Sequence, residues 1–380
     1  MKIVLAFDSY KNCIPSPEIC EVVKAEFVRK FPDGEIVSLP LGDGGEGTCR
    51  AIVSALNGEI KTCTVHDPLF REVLAEWGLL PDNSAVFEMA QASGIELLAS
   101  SERNPMIASS YGTGELLKHI ICENNISSVT VGIGGSATVD GGVGMLQALG
   151  VNFFDCKNNI IPVPAAAADI ACINSIDMSG VAPEIMSADI RVACDVTNPL
   201  CGDTGAAKVF APQKGADTVM VEALENNLLN FGKVAVSCKI AENFTSSGDG
   251  AAGGIGFALR NFLKADLVSG AELVLKTVKF DEYLQNADLV ITGEGCSDGQ
   301  TVCGKLPSVV AEHAAKANVP AVLVSGALGR DSEKLQDIFA AVFSLTDKPC
   351  TLDEAIKNTS TNLKRIAKSI ASLLVTAKKQ

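Results

Sequence analysis

Residues 287–305, ADLVITGEGCSDGQTVCGK, decide the fold. Their first part, residues 289–292, is a short apolar run that predicts a buried parallel strand. A glycine-rich polar loop follows, and a helical pattern begins at about Leu306. A strand that leads through such a loop into a helix N-terminus is typical of phosphate sites, because backbone N–H groups and the helix dipole meet the anion there. The stretch therefore predicts an anion-binding loop in an α/β protein.

The same loop carries acidic side chains that would repel a phosphate by themselves. Glu294 and Asp298 suit a phosphate site if Mg²⁺ lies between carboxylate and phosphate oxygens. Residues 299–305 spell G-x-x-x-x-G-K, the beginning of a Walker A motif, but Leu306 stands where Ser or Thr would bind magnesium. The predicted strand also ends several residues too early, so we reject a P-loop.

Length and composition limit the kind of protein. A chain of 380 residues with 47% hydrophobic and 20% charged residues predicts two globular domains. The net charge of −14 argues against nucleic acid or an anionic membrane as partner. The 13 cysteines are odd in number, scattered and without a C-x-x-C pair, which favours reduced thiols. Without a signal peptide or a long apolar run, a cytoplasmic protein is expected.

The two ends of the chain together predict one domain. Five apolar runs alternate with helical patterns and predict the strands at residues 3–7, 35–39, 289–292, 321–325 and 340–345. Such alternation predicts a doubly wound parallel sheet in flavodoxin-like order. The switch point then lies between the first strand and the strand at residues 289–292. The loops at residues 8–11 and 293–305 should therefore face each other across a crevice.

The middle of the chain predicts a second α/β domain, inserted into the first. We expect the flavodoxin-like domain to comprise residues 1–64 and 286–380, the insertion residues 65–285, and the active site the cleft between them. Predicted strands of the insertion are residues 86–89, 128–131 and 189–193, with short candidates at 75–79 and 151–154. Predicted helices are residues 114–124, 143–149 and 219–234. The order of these strands does not follow from the pattern.

Further glycine-rich loops carry Ser, Thr, Asp or Lys, at residues 40–48, 109–115, 132–144, 194–215 and 246–256. Any one of them could be a tight turn, but so many favour backbone amides presented to a ligand. Gly132, Gly134 and Ala137 match a weak dinucleotide fingerprint, which Asp140 and its neighbouring glycines interrupt. The three histidines are scattered, so histidine catalysis is not expected. Asp, Lys, hydroxyl groups and glycine amides are the groups of phosphoryl transfer.

Seven blocks of the sequence are long and unusual in composition. They are DSYKN (8–12), PLGDGGEGT (40–48), RNP with SSYGTGEL (103–116), GIGGSATVDGGVGMLQALG (132–150), CDVTNPLCG with GAAKVFAPQKGA (194–216), GAAGGIG (250–256) and ADLVITGEGCSDGQTVCGK (287–305). In this order they resemble the type 1 glycerate kinase family over essentially the whole chain. The resemblance implies ATP- and Mg²⁺-dependent phosphorylation of glycerate, mainly to 2-phosphoglycerate, by a flavodoxin-like domain with an inserted α/β domain. Asn12, Cys13, Gly42 and Val139 depart from the residues that the family commonly has.

Roles for the charged residues follow from this resemblance and from their chemistry as hypotheses. Lys11 and Lys305 would neutralise anionic oxygens, and Asp195 and Asp298 are the carboxylates expected nearest the chemistry. Metal ligands are predicted to be Asp43, Glu46 and Glu294. Asp43 and Asp298 are each compatible with metal binding or with the role of base, so that assignment stays open.

Binding residues are predicted from the remaining motifs. Arg71 and Arg103 would clamp the glycerate carboxylate, unless they form structural ion pairs. The loop with Ser136 and Thr138 is the candidate cradle for the nucleotide phosphates. The full predicted set for substrate and nucleotide is Asp8, Ser9, Gly44, Gly45, Arg71, Arg103, Gly134, Gly135, Ser136, Thr138, Lys214 and Gly295.

Glycerate and ATP are thus the expected ligands, with no nucleic acid and no membrane as partner and a homodimer as a possible assembly. Two alternatives stay open at this point. One is a kinase for another small hydroxy acid, and the other is a non-catalytic sensor of a hydroxy acid or nucleotide. A sensor would not need paired carboxylates beside lysines.

Overall fold

The computed structural model describes residues 1–299 and 301–377. The chain divides into two compact units: the first comprises Met1–Asp43, Arg50–Gly58 and Gly270–Gln380, and the second Gly44–Cys49 and Glu59–Ser269. These limits differ from the predicted boundaries at residues 64/65 and 285/286. The difference arises because Glu59–His66 is a strand of the second unit's sheet, while the helices after residue 269 belong to the first unit.

The first unit contains a five-stranded parallel sheet. Its strands lie in the order Ala341–Ser344, Ala321–Ser325, Leu289–Gly293, Lys2–Phe7 and Glu35–Ser38. Numbered along the chain this is the order 2-1-3-4-5, so the predicted flavodoxin-like arrangement is confirmed. The first strand pairs with the third from Ile3 beside Leu289 to Phe7 beside Gly293.

The central strands form because they are apolar on both faces. All five residues of Leu289–Gly293 are buried, as are Ile3 to Phe7. Helices cover both faces of a parallel sheet, and such strands read as continuous apolar runs. Gly293 also allows a close approach, since an added Cβ would lie 1.9 Å from the carbonyl oxygen of Val324.

The helices of the first unit follow the predicted alternation. They are Ser16–Lys30, Thr48–Leu56 (which begins in the second unit), Gly270–Thr277, Phe280–Leu284, Leu306–Lys316, Leu352–Lys357 and Thr359–Ala377, with 3₁₀ turns at Thr301–Cys303 and Ser332–Asp337. Asn358 separates the last two of these helices. A capping box begins Leu352–Lys357: the Thr351 hydroxyl accepts from the Glu354 amide at 3.3 Å, and the Glu354 carboxylate accepts from the Thr351 amide at 3.2 Å. A small parallel ribbon pairs Cys296–Ser297 with Ala327–Leu328.

The second unit contains a six-stranded mixed sheet. Its strands lie in the order Asp266–Val268, Asp189–Ala193, Ser128–Gly132, Ala85–Glu88, Glu72–Leu79 and Glu59–His66. The first four are parallel, and the last two continue the sheet as an antiparallel meander. The predicted strand at residues 151–154 corresponds to Asn152–Phe154, which pairs with Ser175–Asp177 outside this sheet.

Helices of the second unit surround this sheet and its core. The α-helices are Ala90–Ser93, Tyr111–Lys118, Val143–Ala148, Pro183–Ser187, Ala206–Phe210, Thr218–Ser237 and Ile255–Leu263. A π-helical turn at His119–Glu123 follows the second of them, and 3₁₀ turns lie at Ile95–Leu97, Ser100–Glu102, Asp169–Cys172, Pro212–Lys214 and Ala251–Gly254. Across the described residues of both units, none of the helices has the length and apolar character to cross a membrane.

Candidate active site

Two loops of the first unit leave the sheet side by side. Because Phe7 pairs with Gly293, the residues that follow them, Asp8 and Glu294, emerge at the same edge. The Asp8 amide donates to the Gly293 carbonyl at 3.0 Å, and a Cβ on Gly295 would lie 3.5 Å from the backbone nitrogen of Lys11. The strand order therefore brings the two loops together, as predicted.

Lys11 reaches the third loop of this edge. Its Nζ lies 2.9 Å from Oδ2 of Asp43, in the segment after Leu41, whose amide donates to the Phe7 carbonyl at 2.9 Å. Burial would lower the pKa of Lys11, but the charges of Asp43, Asp8 and Glu294 and the hydrogen bond to Asp43 outweigh it and raise the pKa. Lys11 is thus a permanent positive charge on a side chain that is 66% exposed.

Asp8 lies buried inside this group of charges. Its Oδ1 accepts from the Ser9 amide at 2.7 Å and from the Ser9 hydroxyl at 3.4 Å. Burial, followed by the charge of Asp43, raises the pKa of Asp8 to about 7, although the Ser9 amide and Lys11 act in the opposite direction. The negative charge at this edge therefore exceeds what its lysine neutralises.

The second lysine of this edge lies between two carboxylates of the loop after residue 293. Lys305 Nζ is 3.9 Å from Oε2 of Glu294 and 3.6 Å from Oδ1 of Asp298. The Glu294 Oε1 accepts from the hydroxyls of Thr301 at 2.7 Å and Ser297 at 3.0 Å. Burial raises the pKa of Glu294, while these hydroxyls and Lys305 partly offset that rise. Gln300 lies outside the described residues.

Asn12 lies in the loop after Phe7, at a position where the family that the sequence resembles commonly has glycine. Its φ is 59°, in the left-handed region. Asn adopts this conformation more readily than other residues with a side chain. The departure is therefore compatible with the loop conformation.

In the second unit, two predicted glycine loops lie against one another. An added Cβ on Gly132 would lie 2.7 Å from the Gly44 carbonyl oxygen, and one on Gly134 would lie 3.2 Å from Cα of Gly45. Glycine at these positions thus permits backbone to pack on backbone. Glu46, in the same loop as Gly44, is exposed.

Asp195 belongs to the same edge of the second unit's sheet. Gly132 pairs with Ala193, so the loops that begin at Ile133 and at Cys194 leave neighbouring strands together. Asp195 is exposed in the second of these loops. Exposed Gly135, with a φ of 73°, lies in the first.

Glu88 is a functional candidate that the sequence analysis missed. It ends the strand Ala85–Glu88, is buried, and accepts from the amides of Gly47 at 3.2 Å and Cys49 at 2.8 Å. A carboxylate at the N-terminus of the helix Thr48–Leu56 is stabilised by the helix dipole and fixes the preceding glycine loop. In the sequence, Glu88 could have been found as an acidic residue inside the apolar run at residues 85–89.

Lys214 contacts the loop with Ser136 and Thr138, which is the predicted phosphate cradle. Its Nζ donates to the Ser136 hydroxyl at 2.7 Å and to the Thr138 carbonyl at 2.8 Å. Asp140, at the end of the same loop, is fully buried and accepts from the amide and hydroxyl of Ser110 at 2.9 Å and 2.7 Å. Hydrogen bonds of buried polar side chains therefore hold this loop in its conformation.

The two predicted arginine clamps are engaged within the second unit. Arg71 Nε lies 2.6 Å from Oδ2 of Asp67, and its Nη1 lies 2.9 Å from Oε1 of Glu102. Arg103 Nη2 is 3.8 Å from Oε1 of Glu96, while its Nε is buried without a hydrogen-bond partner among the described residues. The contacts of Arg71 favour the ion-pair alternative, and its role as a clamp stays a prediction.

The acidic residues of the site can be compared with the way proteins bind Mg²⁺. In the described part of the chain, no group of three or more His, Cys, Asp or Glu is arranged to hold a metal ion. Mg²⁺ usually keeps several waters and uses one or two carboxylates together with substrate phosphates, so a closed group is not required. The excess negative charge around Asp8, Asp43 and Glu294 fits that mode of binding. The metal roles of Asp43, Glu46 and Glu294 stay predictions.

Comparison with known proteins gives consistent results over the whole chain. A model described as the glycerate kinase family matches residues 3–375. Glycerate 2-kinase of Escherichia coli is 42% identical over 376 residues, covering 98% of each chain. Glycerate kinase of Bacillus subtilis is 40% identical over 381 residues, which cover 100% of this chain and 99% of that protein. A Salmonella typhimurium crystal structure designated glycerate kinase 2 aligns over 100% of both chains with a TM-score of 0.91 and 40% identity.

The buried carboxyl of Asp8 predicts an unusual effect on stability. Its pKa is about 7 in the folded chain and 3.8 in the unfolded one, so its contribution is fully present below pH 3.8 and is lost as the pH rises through 7. Asp8→Asn removes this penalty while it keeps an oxygen for the Ser9 amide. At pH 8 the variant should gain up to roughly 4 kcal/mol in the free energy of unfolding, and the gain should shrink toward pH 4.

Urea unfolding at pH 8, 6 and 4 measures the effect. Asp337→Asn, at an exposed position of the same unit, is the matched control and should change little. An Asp8→Asn variant that is less stable than the wild type at pH 8 would contradict this prediction, because the folded chain would then favour the ionised carboxylate.

Proposed function

The chain belongs to the glycerate kinase family, and from that premise we propose that it transfers a phosphoryl group from Mg²⁺-bound ATP to D-glycerate, giving 2-phosphoglycerate. The observation that carries the proposal is the cluster at one edge of the first unit's sheet. Lys11 lies there beside Asp43, Lys305 lies within 3.9 Å of both Glu294 and Asp298, and buried Asp8 lies among these charges. Lysines beside carboxylates at a switch point suit an anionic phosphoryl group and a metal ion.

The lysines supply the positive charge of this reaction. Phosphoryl transfer needs little covalent chemistry from the protein and depends on positioning and on electrostatic stabilisation. Lys11, whose pKa is raised by its carboxylate neighbours, stays protonated at neutral pH. Lys305 lies at 3.6 Å and 3.9 Å from its two carboxylates, which is longer than a hydrogen bond, so its amine can turn toward a phosphate oxygen when one enters.

The carboxylates are proposed to have two roles. Bound Mg²⁺ would neutralise charge on the phosphate oxygens, and Asp43 and Glu294 are the residues proposed to hold it. A carboxylate near the acceptor takes up the proton of the glycerate hydroxyl as the new ester bond forms. Asp298 and Asp195 are the candidates for that role, and one belongs to each unit. The prediction that reacting groups come from both units remains to be tested.

The glycine loops of the second unit are proposed to hold the nucleotide phosphates. Gly134 and Gly135 present exposed backbone beside the hydroxyl of Ser136, and Gly44 and Gly45 pack against this loop. Backbone N–H groups without side chains are suited to phosphate oxygens. The cytoplasmic location and the homodimer expected from the sequence stay predictions.

An assay of ADP release across a panel of small hydroxy acids tests the function. We propose D-glycerate as the acceptor, so turnover with it should exceed that with L-glycerate, lactate and tartronate. Phosphorus NMR of the product should show the ester at the 2-position. If only another hydroxy acid is turned over, that acid replaces D-glycerate as the proposed substrate. Ligand binding without any turnover would favour a sensor.

Removal of a carboxylate needed mainly in the transition state should lower kcat more than it weakens binding. Asn keeps the shape of Asp but loses the charge, and general-base catalysis contributes about 10²–10⁴-fold. We therefore expect Asp195→Asn and Asp298→Asn each to lose at least roughly a hundredfold in kcat. The variant whose residual rate needs far more Mg²⁺ identifies the metal ligand.

Two exposed aspartates serve as controls for these substitutions. Asp337→Asn belongs to the same unit as Asp298, and Asp266→Asn lies at the amino end of a strand in the unit of Asp195. Both should retain wild-type kcat and melting temperature. If Asp195→Asn and Asp298→Asn also turn over within a few-fold of the wild type, the base must be sought at Asp43 or Glu46.

A further inference from the structure

The amino group of Lys214 is buried against a loop and has no carboxylate partner among the described residues. The residue is 2% exposed, and its Nζ donates to the Ser136 hydroxyl and to the Thr138 carbonyl. Both acceptors are neutral. Within residues 1–299 and 301–377, no carboxylate lies at ion-pair distance from this amine. A buried ammonium ion without a counter-charge is costly, so an arrangement of this kind needs a reason.

The charge of Asp140 acts on Lys214 without an ion pair between them. The oxygens of Asp140 are already occupied, because they accept from the amide and hydroxyl of Ser110 and from the amides of Gly142 and Gly144. Burial lowers the pKa of Lys214 to about 7, and the charge of Asp140 only partly opposes this effect. Near neutral pH the amine is therefore close to half protonated.

The loop that contacts this amine carries two hydroxyl groups, those of Ser136 and Thr138, for which no hydrogen-bond acceptor is found among the described residues. When Lys214 is protonated, the Ser136 oxygen accepts from it and the Ser136 hydrogen points elsewhere, and no other acceptor for that hydrogen lies among the described residues. The hydroxyl of Thr138, two residues on, is buried and lacks any hydrogen-bond partner in the described part of the chain. Unpartnered buried polar groups are rare in folded proteins, and a bound ligand can supply the missing partner. Gly134 and Gly135 on the same loop are exposed.

We propose that Lys214, acting through Ser136, is the proton-linked counter-charge of an oxyanion subsite in the loop at residues 134–138. A carboxylate or phosphate oxygen accepts from the Ser136 hydroxyl, and Lys214 takes up one proton from solvent when that anion binds. No bond other than this N–H bond is made or broken. The inference rests on the proposed function, which supplies both anions: the carboxylate of glycerate and the phosphates of ATP.

The coupling follows from elementary electrostatics. An anion beside a half-protonated amine favours the charged form and raises its pKa. By linkage, the affinity for that anion then falls about tenfold per pH unit above the pKa of the free protein, until the pKa of the complex is reached. A lysine that only clamps the loop would contribute to stability but would not exchange a proton on binding.

Isothermal titration calorimetry at pH 8 tests the proposal, in HEPES and in Tris, whose ionisation enthalpies differ. Glycerate is titrated in one arm, and the magnesium complex of a non-hydrolysable ATP analogue in the other. The wild type should take up close to one proton per ligand bound in one arm, which identifies whether carboxylate or phosphate uses the subsite. Lys214→Arg, with a permanent charge, should bind that ligand with no proton uptake and without the fall in affinity above pH 7.

Ser136→Ala provides a second variant that keeps the buried amine, and it should lose both the proton uptake and at least about tenfold in affinity for the same ligand. Circular dichroism and melting curves verify that each variant is folded. Absence of proton uptake in both arms for the wild type would overturn the proposal, as would uptake that persists in Lys214→Arg. Normal glycerate turnover without proton uptake refutes the subsite alone, whereas proton uptake with the nucleotide but no turnover of glycerate refutes the proposed function alone.

Discussion

The parallel pairing of Lys2–Phe7 with Leu289–Gly293 is the contact on which the first unit depends. It joins strands that lie near opposite ends of the chain, and both are buried along their apolar residues. Because the two strands run in register, their carboxyl ends coincide. Asp8 and Lys11 thereby meet Glu294 and Lys305 without any local connection along the chain. Loss of this pairing would separate Asp8 and Lys11 from Glu294 and Lys305.

Each unit contains a buried ionisable group whose charge is poorly compensated. In the first unit it is Asp8, with a pKa raised to about 7 by burial and by Asp43. In the second it is Lys214, with a pKa lowered to about 7 by burial. Groups of this kind destabilise the folded chain, and they occur preferentially where ligands supply the missing charge. Asp8 is short of positive charge and Lys214 is short of negative charge, and bound ligands can supply both.

The fold of the first unit could be predicted largely because its central strands are buried on both faces. The runs at residues 3–7 and 289–292 carry that signal in their own composition, and the strand order followed from their alternation with helices. Glu59–His66 was missed because it lies at the edge of its sheet, where polar and apolar residues mix. Its assignment depends on pairing with Glu72–Leu79, which local sequence does not specify.

The candidate site was predictable as a list of residues but not as a set of contacts. Glycine loops and charged residues stand out in the sequence, and the strand order explains why two of the loops meet. The bond from Lys214 to Ser136 spans 78 residues, and the bond from Cys49 to Glu88 spans 39, so neither has a local signature. Arg71 was predicted as a substrate clamp because its charge suits a carboxylate. The structure adds that Asp67 and Glu102 already occupy two of its nitrogens.

The central claim is that the charges around the paired strands of the first unit bind the phosphoryl group and its metal. A crystal structure of the protein with glycerate and the magnesium complex of a non-hydrolysable ATP analogue would test it most directly. We expect the terminal phosphate at salt-bridge distance from Lys11 or Lys305 and the metal ion on at least one of Asp43, Glu294 and Asp298. A complex in which neither lysine contacts the phosphate and none of these carboxylates contacts the metal or its waters would contradict the claim.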